Sequence, residues 1–569
     1  MDDRSRLGPE RRERDLRRLG SEVFDVVVVG GGVTGAGAAL DAASRGLSVS
    51  LLEARDWAAG TSSRSSKLVH GGLRYLEQFD LPLVREALVE RGRQLRTIAP
   101  HLVRPLPFLL PLTAPVWQRA YFGAGVLLYD LLSSTFGPAG GVPRHRHLSR
   151  RSALSAFPAL RPDRLRGAIR FYDAQVDDAR HTLALARTAA AYDGAVLSSA
   201  RVVGLLRSGT AVTGVQVRCL ETGAEIDVRS RSVIAATGVW SDDIGGMLGG
   251  PMSLRVRASK GVHLVVGRDR LAGETGLILR TETSVLFVIP WESHWIIGTT
   301  DTDWNLDRAH PAASSADIDY LLGQLNRVLA RPLGRSDIEG VYAGLRPLLA
   351  GESDATSRLS REHAVVTPAP GLVLVAGGKY TTYRVMAADA VDAATAAMTG
   401  IPASRTARLP LVGARRFAAA WADRSLLAQR HELALSTVER LLHRYGDRAG
   451  ELLELTADPP DLAQPLPGAT DHLAVEVHYA ALAEGALHLD DVLTRRTRIS
   501  VQTPHRGLDS AERVAALMGE VLDWSGAARE REIEHYRARV AAERESQRMP
   551  DDRTADAARL GAPDVRGGA

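Results

Sequence analysis

The sequence predicts an α/β fold in which a parallel βαβ unit carries an inserted antiparallel sheet and is followed by an α-helical C-terminal domain. Three observations support this prediction. A β-branched run near the N-terminus leads into closely spaced glycines and an Ala-rich helix, and a strand–glycine–helix pattern recurs after residue 372. Residues 255–345 alternate in polarity as strands do, and beyond residue 401 the pattern becomes amphipathic and helical.

The first βαβ unit spans residues 24–53 and contains three glycines in a fixed spacing. Gly30 permits a tight turn, Gly32 lets the backbone approach a pyrophosphate, and Gly35 lets the helix lie close to the sheet. Glu53 ends the second strand, where it can accept hydrogen bonds from an adenosine ribose. The spacing therefore predicts a Rossmann-type dinucleotide site, with the pyrophosphate at the helix N-terminus.

A polar stretch follows at residues 59–78. Its hydroxyl and N–H groups are dense enough to contact phosphate oxygens and the polar edge of a ring, although a polar surface loop with an ST-turn is the alternative. The residues predicted to contact the cofactor here are Thr61, Ser62, Ser63, Ser65, Ser66, Lys67, His70, Gly71 and Gly72.

Later segments return to the same nucleotide site. A buried strand is predicted to end at residue 236 and another at residue 376, and small residues follow both, where they let the backbone approach a dinucleotide. A return to the site after a long insertion is more typical of FAD than of NAD, so the predicted cofactor is FAD. The predicted contacts in these later segments are Val202, Ala236, Thr237, Gly238 and Gly378.

The inserted sheet and the last glycine motif supply three candidate catalytic residues. His263 lies on a predicted strand, where a buried structural histidine is at least as common as a catalytic one. Arg346 precedes a proline, so its backbone must be extended, and a surface arginine is the alternative. Lys379 lies at the start of a helix whose N-terminus can face the flavin edge that becomes negative on reduction.

Composition limits the classes of protein. Cys219 is the only cysteine, which excludes an intramolecular disulfide and indicates a reducing compartment. The net charge of +4, without a basic patch, argues against nucleic-acid binding. The chain has 71 basic residues, of which only Lys67, Lys260 and Lys379 are lysines, so these three mark positions where a compact ammonium is needed. No metal site is predicted.

The membrane and domain predictions follow from apolar content. No segment offers the ~20 apolar residues of a spanning helix, and Phe108–Leu132 is either a membrane-surface element or a buried hairpin. We predict a disordered charged tail at 1–20, an FAD-binding domain at 21–100, 171–255 and 345–400, a substrate or cap domain at 101–170 and 256–344, a helical domain at 401–545 and a disordered tail at 546–569.

Taken together, the motifs resemble those of the FAD-dependent glycerol-3-phosphate dehydrogenases, in the glycine-oxidase/D-amino-acid-oxidase-like flavoprotein group. The matching strings are VVVGGGVTGAGAALDAASRGLSVSLLE, TSSRSSKLVHGGLRYLE, VDDARHTL, AATGVW, KGVHLVV, VIPW with IIGTTD, GLRPL and GGKYTTYR. The resemblance implies oxidation of sn-glycerol 3-phosphate to dihydroxyacetone phosphate, with electrons passed to a membrane quinone. It also implies peripheral attachment to the cytoplasmic face of the cell membrane, a homodimer, and a substrate site lined by Arg74, Tyr75, Arg346, Arg361, Lys379 and Thr381.

Such a reaction needs cations for the phosphate and a base for the C2 hydroxyl proton. Arginine stays protonated and cannot be that base. His263 is the first candidate, with His70 or a desolvated Lys379 as alternatives, and Arg346 would bind the developing alkoxide or the phosphate. The alternative functions are a glycerol-3-phosphate oxidase that uses O₂, an amine or amino-acid oxidase of the same fold, and a non-catalytic flavin-binding module.

Overall fold

The computed structural model describes residues 3–72, 80–114, 116–135, 142–250, 254–281, 285–350 and 363–566. Three predicted substrate contacts, Arg74, Tyr75 and Arg361, lie outside these residues. Within them the chain forms two large sheets flanked by helices and a helical C-terminal domain, which confirms the predicted fold class.

The described residues form the following strands and helices. The strands are β1 (Val23–Val29), β2 (Val49–Leu52), β3 (Leu68–Val69), β4 (Val103–Leu112), β5 (Arg146–Ser149), β6 (Gly167–Val176), β7 (Ala195–Leu197), β8 (Ala200–Ser208), β9 (Ala211–Cys219), β10 (Glu225–Ala235), β11 (Val256–Gly267), β12 (Gly276–Arg280), β13 (Val285–Trp291), β14 (His294–Gly298), β15 (Thr302–Trp304), β16 (Ile338–Leu349), β17 (His363–Ala369), β18 (Leu372–Gly377), β19 (Pro465–Leu466) and β20 (Ala469–Leu473). The α-helices are α1 (Pro9–Ser21), α2 (Val33–Ser44), α3 (Leu81–Arg93), α4 (Trp117–Thr135), α5 (Arg150–Ala156), α6 (Asp178–Ala191), α7 (Ser241–Leu248), α8 (Ser315–Asn326), α9 (Tyr383–Thr395), α10 (Phe417–Ala422), α11 (Arg424–Arg430), α12 (Leu435–Tyr445), α13 (Ala449–Glu454), α14 (Ala474–Glu484), α15 (Ile499–Gln502), α16 (Leu508–Leu522), α17 (Gly526–Ser546) and α18 (Asp552–Arg559).

The first sheet is organised around β1, whose central valines are fully buried. β1 pairs in parallel with β2 and β10, and β10 pairs in parallel with β18. In the described chain the strand order is β17-β18-β10-β1-β2-β7, with β9 beside β10 and β8 beside β9. The carboxyl ends of β1, β10 and β18 therefore meet at one edge, which is where open α/β sheets bind ligands.

Two features of this sheet depend on how its strands pair. A break at Ser198 and Ser199, where Ser199 has a φ of 50°, separates β7 from β8. β10, in contrast, is one unbroken strand. β10 is continuous because its first half pairs with β9 and its second half pairs with β1.

The second sheet is mixed and mostly antiparallel. Its described strands run in the order β15-β11-β14-β13-β12-β4-β6-β3, with β16 beside β11 and β5 beside β6. The long antiparallel pair of β11 and β16 places His263 opposite Tyr342 and Ser259 opposite Arg346. One ladder thus carries two of the predicted catalytic residues.

From α10 onward the chain forms a helical domain with its own apolar core, which includes buried side chains of α12, α14 and α16. Buried ion pairs join this domain to α6. Arg180 donates to both carboxylate oxygens of Glu484, at 2.8 and 2.6 Å. Arg498 lies 3.0 Å from Asp177 and also contacts Asp178.

Both terminal segments contain helices, although we predicted disordered tails there from their charge. α1 buries Leu19, and its Arg11 lies 2.6 Å from the buried Asp15 carboxylate. At the other end, Arg566 is buried and donates to both oxygens of Asp491, at 2.9 and 2.8 Å. These arginines find buried acidic partners far along the chain or within the helix, which composition alone does not reveal.

The apolar segment Phe108–Leu132 divides between β4, which is largely buried, and α4. Among the described residues no helix combines the length and the apolar character that crossing a bilayer requires.

Candidate active site

A cavity of about 710 Å³ lies where the carboxyl edge of the first sheet meets β11 and β16 of the second. Its volume falls within the ~300–1,000 Å³ of typical small-molecule and cofactor sites. The predicted site residues that line it are Gly30, Gly32, Glu53, Thr61, Ser62, Ser65, Ser66, His70, Val202, Ala236, Thr237, Gly238, His263, Arg346, Gly378 and Lys379. One cavity thus joins the glycine turn to the three predicted catalytic residues.

The glycine turn at one end of the cavity requires glycine at two positions. Gly30 has a φ of 109°, and a Cβ on it would lie 2.6 Å from the Ala236 carbonyl oxygen. A Cβ on Gly35 would lie 1.9 Å from the Gly30 carbonyl oxygen, so α2 packs directly on the turn. Gly32, Val33 and the first turn of α2 line the cavity, which places the positive end of the helix against its contents.

Glu53 lines the cavity beside this turn. Its Oε2 accepts the Gly31 N–H at 2.6 Å and its Oε1 accepts the Arg55 N–H at 2.7 Å. Burial raises the pKa of the Glu53 carboxyl, and the two backbone hydrogen bonds oppose that rise. Because each carboxylate oxygen has a second lone pair, Glu53 retains acceptor capacity toward an adenosine ribose.

The serine-rich stretch, residues 61–67, connects the two sheets. Thr61 Oγ1 donates to the Leu345 carbonyl at 2.6 Å, and the Tyr342 hydroxyl donates to the Ser65 carbonyl at 3.0 Å. Ser66 Oγ lies 2.9 Å from His263 Nε2. The hydroxyls of this stretch therefore position β16 and the His263 imidazole as well as lining the cavity.

The Tyr342 ring and the Ser66 hydroxyl hold the His263 imidazole in place. Its imidazole stacks on Tyr342, with ring centroids 4.7 Å apart and planes 12° from parallel. Burial first, and then the charges of Arg346 and Lys67, hold the pKa of His263 well below its usual range. The ring is therefore neutral near pH 7 and can accept a proton. Its Nδ1 is buried and has no hydrogen-bond partner in the described chain.

Arg346 and Lys379 face the cavity from different sheets. Arg346 Nη2 donates to Thr299 Oγ1 at 3.0 Å and to the Thr300 carbonyl at 3.1 Å, and its Nη1 lies 3.4 Å from Asp301 Oδ1. These contacts fix the guanidinium at the cavity wall. Lys379 lies two residues beyond the end of β18 and directly precedes the turn into α9.

The other described residues predicted to contact cofactor or substrate do not line this cavity: Gly35, Ser63, Lys67, Gly71, Gly72 and Thr381. Lys67 Nζ lies 2.8 Å from Asp178 Oδ1 and donates to the Ser63 carbonyl at 3.2 Å. Gly71 N–H donates to the Tyr129 hydroxyl at 2.8 Å. Thr381 Oγ1 accepts the His70 N–H at 3.1 Å. Each of these contacts supports a segment that does line the cavity.

The cavity fits FAD by its own chemistry. Gly30 and Gly32 line the cavity with backbone alone, and the first turn of α2 supplies N–H groups for a pyrophosphate. Thr237 Oγ1 is buried without a hydrogen-bond partner among the described residues and belongs to the lining, so a cofactor polar group can satisfy it.

Comparison with known protein families also indicates FAD as the cofactor. Residues 25–388 match the model of the FAD-dependent oxidoreductases. The chain belongs to the FAD-dependent oxidoreductase family. Residues 404–529 match the C-terminal domain of alpha-glycerophosphate oxidase. The family resemblance of the sequence motifs and the FAD cofactor are thereby confirmed.

This FAD-dependent oxidoreductase is similar along nearly its whole length to named enzymes. Glycerol-3-phosphate dehydrogenase 2 of Mycobacterium tuberculosis is 56% identical over 561 residues, which cover 98% of this chain and 95% of that protein. The mitochondrial glycerol-3-phosphate dehydrogenase of Homo sapiens is 36% identical, with 94% and 75% covered. The solved glycerol-3-phosphate dehydrogenase of Bacillus halodurans, complexed with FAD, has a TM-score of 0.76 at 27% identity and covers 95% of this chain and 98% of its own.

The sequence reasoning missed two residues that organise this site. Asp178 Oδ2 accepts from both the N–H and the hydroxyl of Ser65, at 3.0 and 2.7 Å, while its Oδ1 pairs with Lys67. Tyr342 is the other residue, and its ring stacks against the His263 imidazole. The acidic pair in the VDDARHTL string is the signal that would have suggested an acidic partner for the retained Lys67.

Proposed function

We propose that this flavoenzyme oxidises sn-glycerol 3-phosphate to dihydroxyacetone phosphate, with hydride passing from C2 of the substrate to flavin N5. The observation that carries the proposal is the convergence of Arg346, His263 and Lys379 on the cavity that also contains the glycine turn. The similarity to proteins named glycerol-3-phosphate dehydrogenase supports the same substrate. From the resemblance we also propose Arg74, Tyr75, Arg361 and Thr381 as parts of the substrate site.

Arg346 is proposed to bind the substrate phosphate or the developing alkoxide. Its guanidinium contacts acceptors on β11 and in the turn between β14 and β15. Since these contacts already restrict the side chain, it loses little conformational freedom when it binds an anion. A second cation in the cavity lining, Lys379, would add to the attraction for a phosphate dianion.

His263 is proposed to take the proton of the C2 hydroxyl. The neutral imidazole carries one ring-nitrogen lone pair that can accept a proton, and Ser66 Oγ lies 2.9 Å from its Nε2. Bound FAD supplies the hydride acceptor. His70 and Lys379 also line the cavity and remain the alternative bases.

Deuterium at C2 of the substrate tests whether the C2–H bond is the one that breaks during flavin reduction. We expect flavin reduction, followed by anaerobic stopped-flow absorbance, to be several-fold slower with 2-deuterated than with unlabelled glycerol 3-phosphate. Substrate deuterated at C1 and C3 is the control and should reduce the flavin at the unlabelled rate. Slowing by the C1 and C3 label, with none from C2, would mean that another carbon is oxidised.

We propose a quinone at a membrane surface as the electron acceptor, and α4 supports this proposal. Trp117, Tyr121, Leu128 and Leu131 follow one helical face and are exposed, whereas Tyr129 on the other face is buried. The exposed arginines that follow nearby in the chain are Arg144, Arg146, Arg150 and Arg151. An apolar helical face beside cations is typical of a helix that lies in the plane of an anionic membrane surface, here the cytoplasmic face.

An oxidase that passes electrons to O₂ is the second candidate, because one of the matched family models is named for an oxidase. The yield of hydrogen peroxide per substrate oxidised in air distinguishes the two. We expect a low yield, and rapid turnover with a soluble quinone under nitrogen. A stoichiometric peroxide yield without quinone reduction would identify the oxidase.

A further inference from the structure

A second cavity, of about 70 Å³, lies between the serine-rich stretch, β16 and the C-terminal helices. On the same measure a single water needs about 10–15 Å³, so this space exceeds that of one water several-fold and is sufficient for one tetrahedral ion. Five arginine and lysine residues line it: Arg64, Lys67, Arg498, Arg539 and Arg559. Glu543 is the one acidic residue of the lining within the described part of the chain.

The cations around this second cavity are incompletely paired. Lys67 and Arg498 share Asp178, Arg498 also pairs with Asp177, and Arg539 and Arg559 share Glu543. Asp490, the other carboxylate that pairs with Arg539, also pairs with Arg495. Arg64 donates to the Ala309 carbonyl at 3.3 Å, and the described residues place no carboxylate within 4.0 Å of it. Positive charge therefore exceeds negative charge at the cavity wall.

Three buried donors of the lining residues have no hydrogen-bond partner in the described chain: Ser500 Oγ, Arg498 Nε and Arg539 Nη1. Buried donors without partners are rare because each loses its hydrogen bond to bulk water without compensation. Water inside the cavity would satisfy the donors, but it would not neutralise the excess charge. An anion would do both.

The electrostatic environment supports an anion. Burial, followed by repulsion from Arg55, Arg539, Arg495 and Arg559, lowers the pKa of Arg64 to about 9. Burial and the nearby Arg498 lower the pKa of Lys67 to about 8. A negative ion in the cavity would relieve this repulsion.

We propose that this second cavity binds a free divalent oxyanion of the phosphate class, held by Arg64, Arg498, Ser500 and Arg539. The ion would join the serine-rich stretch, through Arg64, to the C-terminal domain, through the other three residues. Arg64 also lines the FAD cavity. The site would thus couple the C-terminal domain to a segment that forms the cofactor wall.

Inorganic phosphate titrated into the FAD-loaded enzyme tests this site by ³¹P NMR and by the melting temperature at constant ionic strength. We expect two phosphate sites, because the proposed substrate site should also bind phosphate, and a melting temperature that rises with phosphate. Arg539→Gln should weaken the second site about 10- to 100-fold, the loss expected for one charge-assisted contact. Arg537→Gln changes an exposed arginine of the same helix and should leave both sites intact.

Ser500→Ala keeps the test decisive if Arg539→Gln fails to fold, since it removes only a hydroxyl that lacks a protein partner. We expect it to weaken the same phosphate site while the KM for glycerol 3-phosphate stays unchanged. Phenyl phosphate is too large for the cavity and should compete only at the substrate site. The proposal is wrong if wild type shows a single phosphate site that neither variant alters, if phosphate has no effect at all, or if phenyl phosphate displaces phosphate from the second site.

Discussion

His181 and His263 are both buried and neutral in the folded chain. His181 lies between Gln94 Oε1, at 3.0 Å, and the Tyr380 hydroxyl, at 3.1 Å, and burial lowers its pKa to about 4. In the unfolded chain a histidine titrates at about 6.5. Below that pH the unfolded chain binds a proton that the folded chain does not, so the free energy of unfolding falls as the pH falls toward 4.

Replacing His181 should reduce this sensitivity to acid. In His181→Gln we expect the loss of unfolding free energy between pH 6.5 and 4 to be smaller by about 1.4 kcal/mol per pH unit. Urea unfolding at pH 7.5, 6 and 5 measures it. His505→Gln alters an exposed histidine and serves as the control. A wild-type slope in His181→Gln would mean that this imidazole does not titrate on unfolding.

Removal of the proposed base should slow the reductive step. In His263→Ala we expect the rate of flavin reduction by glycerol 3-phosphate to fall about 10²- to 10⁴-fold, the usual contribution of a general base. Anaerobic stopped-flow absorbance measures that rate. The matched control is His294→Ala, a buried histidine of the same sheet that pairs with Glu339 and lies outside the cavity lining. Reduction of His263→Ala at the wild-type rate would transfer the role to His70 or Lys379.

At the scale of elements, helix α18 attaches to β11 through one lysine. Lys260 is fully buried on β11, its Nζ lies 2.6 Å from Asp317 of α8, and it also contacts Asp552 of α18. The Trp304 ring lies 5.0 Å away. One ammonium therefore joins a strand, a helix of the substrate side and the C-terminal segment.

Loss of that ammonium would leave two carboxylates without their cation. We expect Lys260→Met to lower the free energy of unfolding by about 3–5 kcal/mol. Arg257→Met, on the same strand, changes a partly exposed partner of the exposed Asp303 and should cost less than about 1 kcal/mol. Chemical denaturation of the two variants makes the comparison. Equal, small losses would show that the Lys260 contacts contribute little to stability.

The proposed membrane contact is the single helix α4, and substitutions on its exposed face test it. In the double variant Leu128→Ser and Leu131→Ser we expect binding to phosphatidylglycerol vesicles, measured by co-sedimentation, to weaken at least about tenfold because two leucine side chains no longer enter the apolar layer. Leu426→Ser removes a comparably exposed leucine from α11 and is the control. Unchanged binding of the double variant would exclude α4 as the membrane contact.

At the scale of the whole molecule, the spacing of motif residues predicted more of the structure than the amino-acid composition did. The Gly30 to Glu53 unit was predicted correctly because its turn, helix and strand are determined by neighbours in sequence. The helices near both termini were not predicted, since their arginines pair with acids such as Asp491 that sequence distance conceals. The three lysines differ in the same way. Lys379, in a local glycine motif, lines the cavity as predicted, whereas Lys67 and Lys260 are buried in ion pairs with residues distant in sequence.

The most direct measurement of the central claim is the anaerobic absorbance spectrum of the purified protein before and after addition of glycerol 3-phosphate. The account requires a flavin band that bleaches on addition, which would establish cofactor, substrate and reduction together. A flavin band that dithionite bleaches but glycerol 3-phosphate does not would leave the FAD-dependent fold intact and contradict the proposed substrate.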